Sequence, residues 1–206
     1  MAMHAATANG HTSAHHEEGM SRGMAGMALF IASEIMLFGG LFAAYFFVRN
    51  QAVQNDTWPP STVEHVAGWE LPAILTAVLI SSSIVAHIGI LGLKAGNQNL
   101  FKLGILLAIV LGTAFIGGQI YEWFDLMDHG LTAESGVYGS SFYIITGFHG
   151  AHVIAGLCML VVVLARATQN DFTPRRHLFA DAAVLYWHFV DVIWVFVFST
   201  LYVFSQ

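Results

Sequence analysis

Five long apolar stretches, almost free of charged residues, constrain the fold of this sequence more than any other feature. They lie at about residues 24–48, 71–93, 103–121, 137–165 and 182–204, and only Glu34 and Asp191 place a charged side chain inside them. About 20 apolar residues in a helix cross the roughly 30 Å hydrocarbon core of a bilayer, where the backbone must pair within its own segment. The sequence therefore predicts an all-α, polytopic membrane protein with a five-transmembrane-helix bundle.

The composition excludes several classes of protein. Charged residues make up 10% of the chain, against about 25% in soluble domains. With seven basic residues and a formal net charge of -6, no patch is available to neutralise a phosphate backbone, so nucleic acid is excluded as a partner. The single cysteine, Cys158, cannot form an internal disulfide or a multi-thiolate metal centre.

The distribution of Lys and Arg predicts the orientation, because cytoplasmic loops retain positive residues. Arg49 is the one basic residue among the acidic residues of the first and third connections. The other six flank the first span or lie in the second and fourth connections: Arg22, Lys94, Lys102, Arg166, Arg175 and Arg176. We therefore expect a cytoplasmic N-terminus and a periplasmic C-terminus.

The first 21 residues differ from the rest of the chain. They are rich in Ala, His, Ser and Thr, and they lack the basic segment and short apolar core of a cleavable signal peptide. We predict a flexible cytoplasmic tail at residues 1–21 and a single membrane domain at residues 22–206. Four histidines of the tail could bind a metal, although a polar flexible tail is the simpler interpretation: His4, His11, His15 and His16.

Two carboxyl groups are predicted at membrane depth. Glu34 lies about ten residues, or roughly 15 Å, into the first span, and Asp191 is similarly central in the fifth. A charged side chain there costs at least about 2.5 to 3.5 kcal/mol, so each carboxyl must be paired, hydrated or protonated. Glu34 fits a proton-handling or lipid-polar site as well as a structural link between helices, and for Asp191 we favour the structural link.

Histidines occur at helical spacing in the last two spans. His149 and His152 are three residues apart, as are His188 and Asp191, so each pair shares one helical face. If these faces meet, they could bind haem or a non-haem metal. No Glu-x-x-His pair of the di-iron type accompanies them. A proton transporter that uses Glu34 and Asp191 as relay carboxylates is a further alternative.

Four segments resemble subunit III of haem-copper oxidases, most closely cytochrome c oxidase subunit 3. They extend over about residues 24–204 in the order that the family shows: SEIMLFGGLFAAYF at 33–46, WPP at 58–60, YGSSFYIITGFHGAHVIAG at 138–156 and YWHFVDVIW at 186–194. The resemblance implies a five-helix bacterial form, multi-pass in the cytoplasmic membrane, which packs against the catalytic haem-copper subunit I and other oxidase subunits.

The resemblance also implies what this chain contributes. Haem and copper belong to the partner subunits, and no cofactor is expected in this chain apart from bound phospholipid. The complex passes electrons to oxygen and pumps protons, and the third subunit supports assembly, lipid binding, proton uptake and stability in turnover. Mitochondrial-type members have seven helices, and this chain lacks the first two, which form one wall of the lipid cleft. A quinol oxidase is the alternative complex, although Ser33, Glu34 and the WPP segment favour cytochrome c oxidase.

Residues are assigned from the resemblance position by position. The family's buried polar positions fall on Glu34, His149, His152, His188 and Asp191. Asp181 stands where relatives often have Glu. Contacts with lipid headgroups are expected from five cationic candidates, because guanidinium pairs well with phosphate: Arg22, Arg49, Arg175, Arg176 and His177.

Overall fold

The computed structural model describes residues 22–55 and 68–204. Within these ranges the chain forms α1 (Arg22–Gln54), α2 (Glu70–Lys94), α3 (Gln98–Asp128), α4 (Val137–Thr168) and α5 (Leu178–Phe198), which continues into a π-helical turn at Ser199–Val203. All five helices are long and apolar enough to cross a membrane, which confirms the predicted five-span helical fold. The tail at residues 1–21 and the WPP segment lie outside the described residues.

The third helix is much longer than the apolar stretch that predicted it. It has 31 residues, or about 46 Å at 1.5 Å per residue, against roughly 30 Å of hydrocarbon. Its last turns therefore carry Glu122, Asp125 and Asp128, which lie beyond the apolar stretch at residues 103–121. The physical reason is that a helix does not have to end where the hydrocarbon ends.

Polar contacts between helix ends show which of these ends lie together at one end of the bundle. Lys94 at the end of α2 pairs with Asp181 at the start of α5, at 3.2 Å. Lys102 near the start of α3 donates to Asn170, just after α4, at 3.1 Å. The start of α1 also lies here, since a Cβ on Gly23 would be 2.9 Å from a methyl carbon of Leu178. We call this the basic end of the bundle and the opposite end, with Glu70 and Asp128, the acidic end.

The first helix lies at the edge of the bundle. The helices α2 to α5 form a ring in which each packs on the next and α5 returns to α2, whereas α1 packs on α4 and α5. Two side chains of α1 are buried, Phe38 and Tyr45, while Met36 keeps 80% of its surface exposed. A small number of contacts along one face therefore attaches α1 to the bundle.

Two glycines bring α2 and α3 into backbone contact. A Cβ on Gly104 would lie 2.7 Å from the Cα of Gly89 and 2.7 Å from the carbonyl oxygen of Val85. Small residues allow this approach in a membrane, where helix association depends on close packing. The connection between the two helices is short, and the side chain of Asn97 caps α3 by accepting from the amide of Leu100 at 3.0 Å.

Trp187 of α5 occupies the centre of the four-helix core. It is fully buried, and a Cβ on either Gly112 or Gly156 would lie 2.7 Å from its ring. Its indole N–H donates to the hydroxyl of Ser82 at 3.0 Å, so the ring is held between α3 and α4 while its polar atom is bound by α2. The missing side chains of Gly112 and Gly156 make the space for the indole.

Candidate functional site

A polar contact joins Glu34 of α1 to His152 of α4. Glu34 Oε2 lies 2.8 Å from His152 Nε2, and both side chains are largely buried. The other ring nitrogen, Nδ1, lies 2.7 Å from the carbonyl oxygen of Phe148, one turn earlier on α4. A carbonyl oxygen can only accept, so the Nδ1–H group donates to it and fixes the orientation of the ring.

This geometry determines how many protons the pair holds. Because His152 Nδ1 carries one proton, the contact with Glu34 contains one more, between Nε2 and Oε2. Either the carboxyl donates to a neutral imidazole or an imidazolium donates to a carboxylate, and the net charge is zero in both cases. A neutral pair lowers the cost of placing both groups at membrane depth. The pair can also move a proton along one hydrogen bond without changing its net charge.

His149 has entirely different surroundings from His152, although the two are three residues apart. It is 1% exposed, and its ring lies 4.9 Å from that of Trp194 and 5.9 Å from that of Phe115. Neither ring nitrogen has a hydrogen-bond partner within the described residues. An imidazolium would be an unpaired charge here, so the enclosure fits the neutral ring. The contacts of His149 are those of a packed aromatic side chain.

His188 and Asp191 meet α2 rather than α4. His188 Nδ1 lies 2.9 Å from the hydroxyl of Ser83, and the carboxyl of Asp191 interacts with the same hydroxyl. One arrangement satisfies both contacts, with the imidazole donating to Ser83 and Ser83 donating to Asp191. The second carboxyl oxygen of Asp191 is buried with no hydrogen-bond partner in the described part of the chain. On the outer side, the ring of His87 lies 5.8 Å from that of His188.

The five buried polar residues predicted from the sequence thus form three separate groups. Glu34 and His152 are one pair, His149 is alone among aromatic rings, and His188 lies with Asp191 at the α2–α5 contact. Across residues 22–55 and 68–204, no group of three or more His, Cys, Asp or Glu is arranged to bind a metal ion. His188 and Asp191 meet the same serine of α2, whereas His149 and His152 point toward different neighbours.

Sequence reasoning missed a buried carboxyl at the acidic end. Glu122 is 5% exposed, and its Oε2 accepts from the amide of Gln119 at 2.8 Å and from the phenol of Tyr202 at 3.0 Å. This network ties the end of α3 to the π-helical turn after α5. The available signal was the spacing of Gln119 and Glu122, which places an amide one helical turn from a carboxyl.

Three of the predicted headgroup contacts lie together in a pocket at the basic end. The pocket has a volume of about 300 Å³ and is lined by Arg175, Arg176 and His177, together with Arg166, Asp171, Leu178 and two phenylalanines. A tight turn presents the two adjacent arginines, since the amide of Arg176 donates to the carbonyl oxygen of Thr173 at 2.9 Å. Pro174 occupies the second position of this turn, where its fixed φ is favourable.

The cations of the pocket differ in their partners. Arg166 donates to Asp171 at 3.3 Å, and His177 Nε2 lies 3.2 Å from Asp181, which also pairs with Lys94. Within the described residues, no carboxylate pairs with the guanidinium of Arg175 or Arg176. These two arginines are therefore the ones available to an anion.

The remaining two candidates are far apart from each other. Arg22 begins α1 at the basic end, where Gly23 contacts Leu178 of α5. Arg49 lies on the last third of α1, toward the acidic end, and interacts with Tyr45. The structure therefore places Arg22 at the same end as the pocket and separates Arg49 from it.

Comparison with known proteins assigns the chain to a family. The family model described as cytochrome c oxidase subunit III matches residues 2–206. The chain belongs to the cytochrome c oxidase subunit III family. Among curated members of this family, cytochrome c oxidase subunit 3 of Corynebacterium diphtheriae is 42% identical over 177 residues, which are 86% of this chain and 85% of the relative.

Two further relatives extend this comparison. Probable cytochrome c oxidase subunit 3 of Nocardia farcinica is 40% identical over 86% of this chain and 85% of the relative. Cytochrome c oxidase subunit 3 of Pelomedusa subrufa is 37% identical over 91% of this chain and 72% of the relative. The resemblance inferred from four short segments is confirmed, and the five helices make this subunit III family member a multi-pass membrane protein.

Proposed function

We propose that this chain is the non-catalytic third subunit of a proton-pumping haem-copper oxidase in a bacterial cytoplasmic membrane, with its N-terminus on the cytoplasmic side. The family assignment supports this proposal most directly. In this proposal, electrons pass from cytochrome c to oxygen in the partner subunits, which hold the haem and copper. The chain supports assembly, lipid binding, proton uptake and stability in turnover.

The arrangement of the histidines among the described residues favours a role without a redox centre in this chain. Haem or a mononuclear metal needs ligands that converge, whereas His149, His152 and His188 face three different surroundings. His152 also has both ring nitrogens occupied, by Glu34 and by the carbonyl of Phe148. We assign these histidines to packing and hydrogen bonding between helices.

The Glu34–His152 pair is our candidate for the contribution to proton uptake and turnover stability. It lies at membrane depth at the contact of α1 with α4 and holds one mobile proton. Within the pair the proton can move between the carboxyl and the imidazole while the net charge stays zero, so proton transfer onward to the partner subunit must be matched by uptake of another proton. Lipid binding is assigned to the pocket at the basic end, where Arg175 and Arg176 are available to a phosphate.

Purification through a tag on this chain tests the proposed function. We expect a stoichiometric haem-copper catalytic subunit to accompany the chain, with all haem and copper assigned to the partner subunits. Absence of that subunit would contradict the proposal. Stoichiometric haem on the isolated chain would instead favour a stand-alone haem-binding bundle. Oxidation of cytochrome c against oxidation of quinol by the purified complex distinguishes the two oxidase types.

Replacing Arg175 and Arg176 together with Gln is expected to weaken binding of anionic phospholipid to the complex. Each cation near a charged lipid surface contributes about 1 kcal/mol, so losing both corresponds to roughly 30-fold weaker binding. Titration with a short-chain phosphatidylglycerol, followed by native mass spectrometry, measures the change. Lys102→Gln is the matched control, because Lys102 lies at the same end but bonds Asn170 outside the pocket. An equal loss in the control would contradict a specific site.

A further inference from the structure

Three exposed hydroxyl groups at membrane depth need nothing from outside this chain. The hydroxyl of Ser33 donates to the carbonyl oxygen of Phe30 at 2.7 Å, that of Ser81 to Ala77 at 2.7 Å, and that of Thr113 to Ile109 at 2.8 Å. Each group is thus satisfied by its own helix, and such residues are compatible with surrounding lipid.

His87 of α2 is different. Its side chain is exposed, and within the described residues its two ring nitrogens make no hydrogen bond. It lies five residues from the middle of α2, or about 7.5 Å along the axis, and is therefore within the hydrocarbon, whose half-thickness is about 15 Å. Lipid tails offer no hydrogen bond to an imidazole at this depth.

The neighbouring helix adds a second such group. The ring of His188 is partly exposed and lies 5.8 Å from that of His87. Ser83 occupies its Nδ1 atom at 2.9 Å, but Nε2 has no partner in the described part of the chain. Two imidazoles therefore present free ring nitrogens at the outer side of the α2–α5 groove. Ionisable side chains in membrane helices face protein or water rather than lipid in almost all known cases.

The surface around this pair is apolar. Ile84 and Ile88 flank His87 on α2, with 55% and 43% of their surface exposed, and Val192 of α5 is 55% exposed one turn beyond His188. A water-filled cavity or a charged ligand does not fit such a border. A helix with aliphatic side chains and one hydrogen-bonding group fits this surface. Its aliphatic side chains pack on the isoleucines and the valine, while its polar group reaches the imidazoles.

We infer that the α2–α5 face around His87 and His188 is a docking surface for a transmembrane helix of another subunit, which places a neutral hydrogen-bonding side chain against the two imidazoles. The identity of that helix as part of an oxidase rests on the proposed function. The covering of this face by a helix rests only on the exposed imidazoles and their depth.

Site-specific photo-cross-linking in native membranes tests the inference. A photoreactive phenylalanine analogue replaces Ile84 beside the pair or, as the matched control, Val110 of α3, which is equally exposed at 55%. We expect at least about tenfold more protein adduct from position 84 than from position 110. The adduct should map by mass spectrometry to a membrane-spanning peptide with a Ser, Thr, Asn, Gln, Tyr or Trp near its middle. Lipid adducts alone at position 84, or equal protein adducts at both positions, would overturn the inference.

This readout separates the two proposals. An adduct with a transmembrane helix of a protein outside any oxidase upholds the docking surface and contradicts the proposed partner. An oxidase that co-purifies with the chain while position 84 labels only lipid upholds the partner and contradicts the surface.

Variants of His87 give an independent measurement. His87→Leu is expected to reduce the partner subunit retained through purification several-fold, and His87→Gln to restore most of it, because the amide can still hydrogen-bond. If His87 faces lipid, leucine will retain the partner as well as histidine does, which would overturn the inference. Thermal unfolding of the chain shows whether either variant acts through folding instead.

Discussion

Gly104→Ala is expected to destabilise the bundle by about 1–3 kcal/mol, the usual cost of overpacking. The new Cβ would lie 2.7 Å from the Cα of Gly89 and from the carbonyl oxygen of Val85. Both neighbours are backbone atoms, so no flexible side chain can move aside and the two helices must separate. The free energy of unfolding in mixed micelles titrated with sodium dodecyl sulfate measures the change.

The control for this prediction lies on the same helix. A Cβ on Gly117 would meet nothing within 4 Å, so Gly117→Ala should stabilise α3 by about 0.5–1 kcal/mol through helix propensity alone. The two identical substitutions are therefore expected to have opposite signs. Similar changes for both would mean that the contact between α2 and α3 is looser than described.

Glu34→Leu is expected to lower the free energy of unfolding by about 1–3 kcal/mol, because it leaves Nε2 of His152 unpaired at membrane depth. His152→Leu should cost a similar amount by leaving the carboxyl unpaired. The double variant should cost less than the sum of the two, since it removes both polar groups together. Unfolding in the same micelles, arranged as a double-mutant cycle, gives the coupling free energy, and additive effects would exclude a direct interaction.

Glu34→Gln separates the structural from the chemical role of this pair. The amide N–H can donate to Nε2 of His152, so stability should remain close to wild type. The amide has no acidic proton that it can transfer to His152, so the number of turnovers before the oxidase is inactivated should change. Ser33→Ala is the control, because Ser33 bonds only to its own helix. Unchanged turnover in Glu34→Gln would reduce Glu34 to a link between helices.

The spans were predictable because hydrocarbon tolerates few charges and almost no unpaired backbone, and both constraints are visible in a single sequence. The ends of the helices were less predictable. Beyond the hydrocarbon, Glu122 is as acceptable in a helix as in a loop. Its carboxyl is bound by Gln119 one turn earlier and by Tyr202, 80 residues later, and no local pattern identifies the second partner.

The partners of the histidines could not be read from helical spacing. His149 and His152 differ by about 300° around the helix axis, which still leaves about 60° between them. That angle is enough to direct one ring to Trp194 of α5 and the other to Glu34 of α1. Helical spacing keeps the two members of each pair within about 60° of each other, but the choice of neighbour depends on where the other helices pack. The position of the two pocket arginines was easier to infer from the sequence, because a Pro-Arg-Arg segment between two spans is typical of a cationic turn.

The position of α1 at the edge has a consequence for biogenesis. α1 is synthesised before α4 and α5, the helices that it packs on. Glu34 is therefore synthesised 118 residues before His152. Until His152 is in place, the carboxyl of Glu34 must stay protonated, hydrated or sheltered by the insertion machinery, so α1 can complete its packing only after α4 and α5 have been made.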